Sequence, residues 1–237
     1  MRTEPALAKA GTVEDYALEM SPKPDNDDHF RFRRCVALLE TEAGRIEPGT
    51  VWLDLGCNQG QFLKMLVNSR RIVGTGIDDW DAVLKVPGPS DSWGYRQADL
   101  GKELPWSEPV QVISALEVIE HVVDTDGFLR RAYDRLDRKG WIVISTPNIN
   151  SLRNRIIVPL GGYPVGPEYH TVIHHVRMYN AAALREHLRA TGFDRIRLRG
   201  VGFLPFSMGL GRTRVSQLLA DAFPAMCANL IAVARKP

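Results

Sequence analysis

VWLDLGCNQGQ, residues Val51 to Gln61, is the stretch on which the reading of this chain turns. Its first half is apolar (Val51, Trp52, Leu53, Leu55) around one acid, Asp54, and predicts a buried strand. Its second half, Gly56-Cys57-Asn58-Gln59-Gly60, predicts a turn, because glycine enters left-handed backbone freely and asparagine tolerates it best among side chains. Behind the turn, Phe62, Leu63, Leu66 and Val67 are apolar at helical spacing. A strand, a Gly-rich turn and a helix in that order bring a ligand against bare backbone at a helix N-terminus. With no Cβ at Gly56 or Gly60, a close approach of ligand to backbone is expected there.

The bulk numbers bound the rest. The chain has 237 residues and 44% hydrophobic residues, enough for one α/β domain with a full core. A net charge of +2 gives no strong bias toward nucleic acid or membrane surfaces. The three cysteines, Cys35, Cys57 and Cys227, are scattered and form no C-x-x-C pair, which fits a reduced, cytoplasmic protein. The first 20 residues carry acids and no apolar core, so no signal peptide is expected. No apolar run approaches the roughly 18 residues a spanning helix needs.

Outward from the turn, residues 1–44 read as a cap: a polar, Pro-containing arm, a short helix near Val13–Met20, and a helical pattern from His29 to Ala43. Residues 45–237 read as the main domain. A second strand ends in Asp78 and Asp79. Asp78 stands 24 residues after Asp54, where an acid at the strand tip accepts hydrogen bonds from ribose hydroxyls. Further strands are expected at Trp93–Leu100, Val110–Glu117 and Trp141–Ser145. A helix capped by Asp124 or Asp126 and stopped by Lys139-Gly140 separates the last two. Residues 149–179 show no regular pattern and are expected to form a lid over the ligand edge. Asn180 caps a helix over Ala181–Ala190. The Phe193–Val201 strand sets Arg195, Arg197 and Arg199 on a wet face, and Cys227–Ala234 is the last strand. The apolar Val201–Leu210 segment suggests a second lid or a homodimer surface.

These features together resemble the class I S-adenosylmethionine (SAM)-dependent methyltransferases, over roughly residues 45–235. Their first motif usually reads D-x-G-C-G-x-G, and here Asn58 replaces the middle glycine. The turn does not match the G-x-G-x-x-G dinucleotide fingerprint, which opposes an NAD-dependent dehydrogenase. The resemblance implies a doubly wound, seven-stranded, mostly parallel α/β sheet with an antiparallel last strand. It implies SAM as cofactor, held by Asp54, Gly56, Cys57, Asn58 and Gly60 at the turn and by Asp78 and Asp79 at the ribose. Asp99, Leu100 and Leu116 would line the rest of the cofactor site, Asp99 at the adenine amine. Gln111 stands where the family has an acid at the start of strand four.

The most chemically loaded stretch is Glu117-Val-Ile-Glu120-His121. Transfer from a sulfonium needs in-line positioning and loss of a proton from a hydroxyl. Either His121 is the general base, or Glu117, Glu120 and His121 ligate a divalent cation, Mg2+ in first place, from one helical face. The E-x-x-E-H stretch is similar to that of ubiquinone-biosynthesis O-methyltransferases and of small-RNA 2′-O-methyltransferases. In the latter a further histidine completes a metal site; His175 takes that place here, with His174 and His170 behind it. The expected acceptor is a small-molecule hydroxyl. A sugar or glycoside ranks first on Arg153, Arg155, Tyr163 and Tyr169, and a quinone-like phenol second. An RNA methyltransferase and an inactive SAM-binding partner are the other readings; the charge argues against nucleic acid.

Overall fold

The computed structural model describes residues 27–79, 93–164, 175–203 and 214–237. The expected helix near Val13–Met20, His170, His174 and Tyr169 lie outside them, as does most of the Val201–Leu210 segment. The strands are β1 (Val51–Leu55), β2 (Val73–Asp78), β3 (Trp93–Gln97), β4 (Val110–Leu116), β5 (Leu136–Pro147), β6 (Asp194–Val201) and β7 (Asn229–Arg235). They form one sheet in the order β3-β2-β1-β4-β5-β7-β6. The first five are parallel, and β7 runs antiparallel to both β5 and β6. This is the expected class I methyltransferase plan. The strand order reverses between β1 and β4, and the carboxyl ends at such a switch point are the usual ligand position in these sheets.

Alternation along β1 explains the two layers. Leu53 and Leu55 enter a core that continues through Ile113, Ile142 and the helices α3 (Thr125–Arg135) and α5 (Ala181–Thr191). Trp52 points the other way, into a core shared with α1 (Asp27–Ala43) and α2 (Gln61–Arg70). There its ring meets Phe62 edge-on at 5.9 Å, and Phe62 meets Phe32 at 5.1 Å. Asp54, two residues on, carries a carboxylate onto that same face, although it is only 3% exposed.

Several boundaries differ from expectation. The helix after β4 starts where Asp124 accepts from Gly127 N at 2.9 Å, but it ends at Arg135 and not at Lys139-Gly140. Leu136 already pairs with Val110, because its side chain is needed in the core beside β4. Residues 149–164 are not irregular. Ser151 caps a short helix, α4 (Leu152–Ile157), and a 3-10 turn follows over Val158–Leu160. The Arg row on β6 is not simply solvated: Arg197 reaches Glu42 at 3.3 Å and Arg199 reaches Asp221, on α6 (Arg214–Ala222), at 3.5 Å. Gln111 accepts from Val51 N at 2.7 Å and donates to Asp137 at 3.2 Å, so an amide there ties β1 to β5.

Candidate active site

The turn after β1 is built by its own hydrogen bonds. Gly56 N and Cys57 N both donate to Ile77 O, at 2.7 and 3.3 Å, and Gly60 N donates to Cys57 O at 2.8 Å. Gly56, Asn58 and Gly60 all have left-handed backbone, with φ of 68°, 47° and 71°. Asparagine at the middle position therefore takes the conformation a third glycine would take. The two glycines are not open toward a ligand in the expected way. A Cβ on Gly56 would stand 2.3 Å from Val118 Cγ2, and one on Gly60 would stand 1.9 Å from Tyr95 Oη. That space belongs to the protein's own side chains: Tyr95 crosses the turn and donates to Gln59 O at 3.0 Å.

Asp78 ends β2 beside this turn and accepts from Asn58 N at 2.8 Å. A carboxylate accepts several donors, so the same group can brace the turn and meet a ribose hydroxyl. Asp54 lies beneath, where Ser114 donates to it at 2.5 Å while accepting from Trp52 Nε1 at 2.8 Å. Burial pushes the Asp54 carboxyl up to about 7. Asp79 is exposed, and its backbone carbonyl accepts from Gln97. Asp99 is held locally by Gly101 N at 2.9 Å and Lys102 at 2.8 Å, and the lysine lowers its pKa. Leu100 is buried and Leu116 half-buried.

The second half of the site stands at the end of β4. Glu117 has φ 57°, unusual for a non-glycine residue, and its amide donates to Ser145 O at 3.0 Å. This bend means that Glu117, Glu120 and His121 do not share an α-helical face; only Ile119–His121 form a turn, of 3-10 type. The Glu117 carboxylate accepts from Ser145 Oγ at 2.8 Å and lies 3.6 Å from Arg31 Nη1. Glu120 is 1% exposed. Its Oε2 accepts from Thr146 at 3.0 Å, while its Oε1 is buried with no hydrogen-bond partner. Burial, and after it the neighbouring Glu117, push its carboxyl up to about 8.

Ligand atoms of Glu120, His121 and His175 lie within 4.8 Å of one another, and the two imidazole rings meet edge to face at 4.6 Å. Among the described residues this trio is the group that could hold a cation, and Glu117 is not in it. His175 is delivered by backbone: Val176 N and Arg177 N both donate to Glu120 O, at 2.8 and 3.1 Å. Tyr179, four residues on, pairs with Asn148. Its hydroxyl meets His187 at 3.0 Å, and His187 meets Asp126 at 2.7 Å. The fit to a cation is chemical as well as geometric, since a buried carboxylate oxygen lacking a partner is costly unless something binds it.

Arg31, Ser145, Thr146 and Tyr95 are site residues that sequence reasoning missed. Arg31 had a signal. It shares a helical stripe with Cys35, Leu38 and Leu39, all buried, and an arginine on an apolar stripe usually has an acid to meet. Ser145 and Thr146 had none, since nothing in a buried strand marks which hydroxyls face a carboxylate.

Residues 28–198 match the model of a methyltransferase domain family. The chain is 28% identical over 170 residues to a probable S-adenosylmethionine-dependent methyltransferase of Mycolicibacterium smegmatis, covering 71% of this chain and 61% of that protein. It is 28% identical over 166 residues to a ubiquinone biosynthesis O-methyltransferase of Azorhizobium caulinodans, covering 65% and 62%. The chain thus spans about three fifths of the length of these curated relatives. In fold it is similar to a chain of the Haloferax volcanii complex between the Trm112 methyltransferase activator and a methyltransferase. The TM-score there is 0.63 at 18% identity, covering 94% of this chain and 97% of that one. Sheet order, turn and family match agree, and the chain belongs to the methyltransferase domain family.

Proposed function

We propose that this protein is a SAM-dependent O-methyltransferase acting on a small-molecule hydroxyl with the help of a divalent cation. The cofactor half rests on the family match and on the turn after β1, with Asp78 beside it. The cation rests on Glu120: one of its buried oxygens has no partner, and its carboxylate lies within 4.8 Å of ligand atoms of His121 and His175.

In this reading Asp78 holds the ribose and the backbone near Gly56 holds the amino-acid end of the cofactor. Glu120, His121 and His175 would hold the cation, which when bound supplies a lowered pKa and a fixed orientation to the acceptor hydroxyl. Two imidazoles with one carboxylate suit a borderline ion such as Mn2+ or Zn2+ better than Mg2+. Glu117, braced by Ser145 and Arg31, shapes the floor between the two halves. The new bond forms between the acceptor oxygen and the methyl carbon as the carbon–sulfur bond breaks with its electron pair left on sulfur, and the hydroxyl proton, made more acidic by the cation, passes to solvent. Without a cation, the His121 imidazole would take that proton.

For the acceptor, the relative named as a ubiquinone biosynthesis O-methyltransferase favours a quinone-like phenol over a sugar. The sugar reading stood partly on Tyr163 and Arg155. Tyr163 is 64% exposed, and Arg155 Nε donates to Asn150 O at 2.8 Å. Among the described residues no helix is long and apolar enough to cross a membrane.

The test is chelation. Turnover of a catechol acceptor should vanish in excess chelator and return with added Mn2+ or Zn2+, while calorimetry shows SAM binding unchanged. Full activity in chelator would leave His121 as the base and remove the cation.

A further inference from the structure

A chain of polar side chains runs behind the two histidines of the candidate site. Its members are Tyr179, His187 on α5, and Asp126 in the first turn of α3. Tyr179 Oη lies 3.0 Å from His187 Nδ1, and His187 Nε2 lies 2.7 Å from Asp126 Oδ1. The carboxylate sits to one side of the ring N–H direction, so this end is a close polar contact, not an aligned hydrogen bond. A neutral imidazole has one donor and one acceptor nitrogen, and a carboxylate only accepts. Nε2 therefore carries the hydrogen beside Asp126, and the Tyr179 hydroxyl donates to Nδ1. The hydroxyl oxygen is left to accept, and Thr125 and Arg177 both stand beside it.

Packing alone does not call for these polar groups. Tyr179 is 3% exposed, and its ring shares a core with Val122, Leu184 and Leu188 that a phenylalanine would fill equally. A buried hydroxyl and imidazole cost free energy unless each finds a partner. What the chain holds is the strap that carries His175. At one end of the strap Val176 N and Arg177 N donate to Glu120 O, at 2.8 and 3.1 Å. At the other end Tyr179 O accepts from Ile149 N at 2.9 Å. Only Met178 separates Arg177 from Tyr179, so the strap has little slack to absorb a shift at Tyr179. Asp126 stands five residues after His121, on the run that leads from the site into α3. One polar chain thus joins the two segments that present His121 and His175, whose rings meet at 4.6 Å.

We infer that Tyr179, His187 and Asp126 are positioning residues, whose chain fixes where the His175 ring stands against His121 and Glu120. This rests on the reading of His175 as a site residue, but it requires no bound cation. A site keeps its geometry when the groups behind it are themselves locked.

Tyr179→Phe tests it, because the ring stays and the hydroxyl goes. Nuclear magnetic resonance of the ligand-free full chain, with labelled histidines, should show the His121 and His175 ring signals displaced. Mn2+ affinity, followed by electron paramagnetic resonance, should fall about tenfold, the lower end of the loss seen when groups behind metal ligands are changed. SAM affinity by calorimetry should stay within about twofold of the parent. Asp126 is exposed, so Asp126→Ala tests the far end of the chain without emptying the core. It should displace the same two histidine signals by a smaller amount. A chain that served stability alone would lower the unfolding midpoint and leave those signals where they are in the parent. Unmoved signals in either folded variant overturn the inference. A parent that binds no Mn2+ takes away the cation, and the histidine signals then decide this inference by themselves.

Discussion

The two halves of the candidate site are built differently. Around Gly56–Gly60 the backbone hydrogen bonds are made within the turn or to Ile77, and Asp78 and Tyr95 brace it from the next strands. Around Glu120 the parts come from far apart: Thr146 from β5, His175 from beyond α4, and Arg31 from α1 behind Glu117. The first half closes its backbone hydrogen bonds locally and leaves only a neutral amide oxygen, Asn58 Oδ1, among its buried side-chain atoms short of a partner. The second has a buried carboxylate oxygen with no partner. A local, self-bonded element gives a rigid platform, whereas a site assembled from distant segments can be left short of one bond that a ligand then supplies.

The contrast is broken most severely by changing the second half. Glu120→Gln or His175→Ala should lower kcat by more than about 100-fold, the scale seen when metal-site groups are removed. Calorimetry should find SAM affinity within about twofold of the parent, since the platform is separate. If SAM affinity falls along with turnover, the halves are one unit and the comparison fails. In the other direction, Asp78→Ala removes a charged acceptor and should weaken SAM by roughly 10- to 100-fold, from about 1.5–3 kcal/mol for such a hydrogen bond. Affinity for Mn2+, followed by electron paramagnetic resonance, should not move.

The platform itself is tested by Gly60→Ala. The new Cβ meets Tyr95 Oη at 1.9 Å in left-handed backbone, so overpacking should destabilise the protein by about 1–3 kcal/mol. Tyr95→Phe in the same chain should recover part of that loss, as read by denaturant midpoint; no recovery would place the strain in φ alone.

The smallest expected effect is on pH dependence. Asp54 is raised to about 7 by burial, above its unfolded value near 4. The folded state then holds a proton that the unfolded state has lost. Its contribution is present below pH 4 and fades as pH rises toward 7. Unfolding of the ligand-free protein should show that decline, and Asp54→Asn should flatten it. An unchanged slope in the variant would mean that Ser114 and Trp52 already satisfy an ionised Asp54.

The sequence determined the platform because its information is contiguous. Val51 to Gln61 names the strand, the left-handed turn and the helix start in one run, and Asp78 follows at the spacing a βαβ unit imposes. The Asn180 cap was legible for the same reason: it depends on near neighbours. The sequence also brought Glu120, His121 and His175 to notice as residue types.

Tertiary structure alone decided how those residues meet. The left-handed bend at Glu117 turns what reads as i, i+3, i+4 spacing into two separate directions, sending one carboxylate to Ser145 and Arg31 and the other to the histidines. It also decided that Gly56 and Gly60 make room for Val118 and Tyr95. Such facts depend on which distant side chain fills a given space. Packing across the sheet sets that, and a period along the chain carries no record of it.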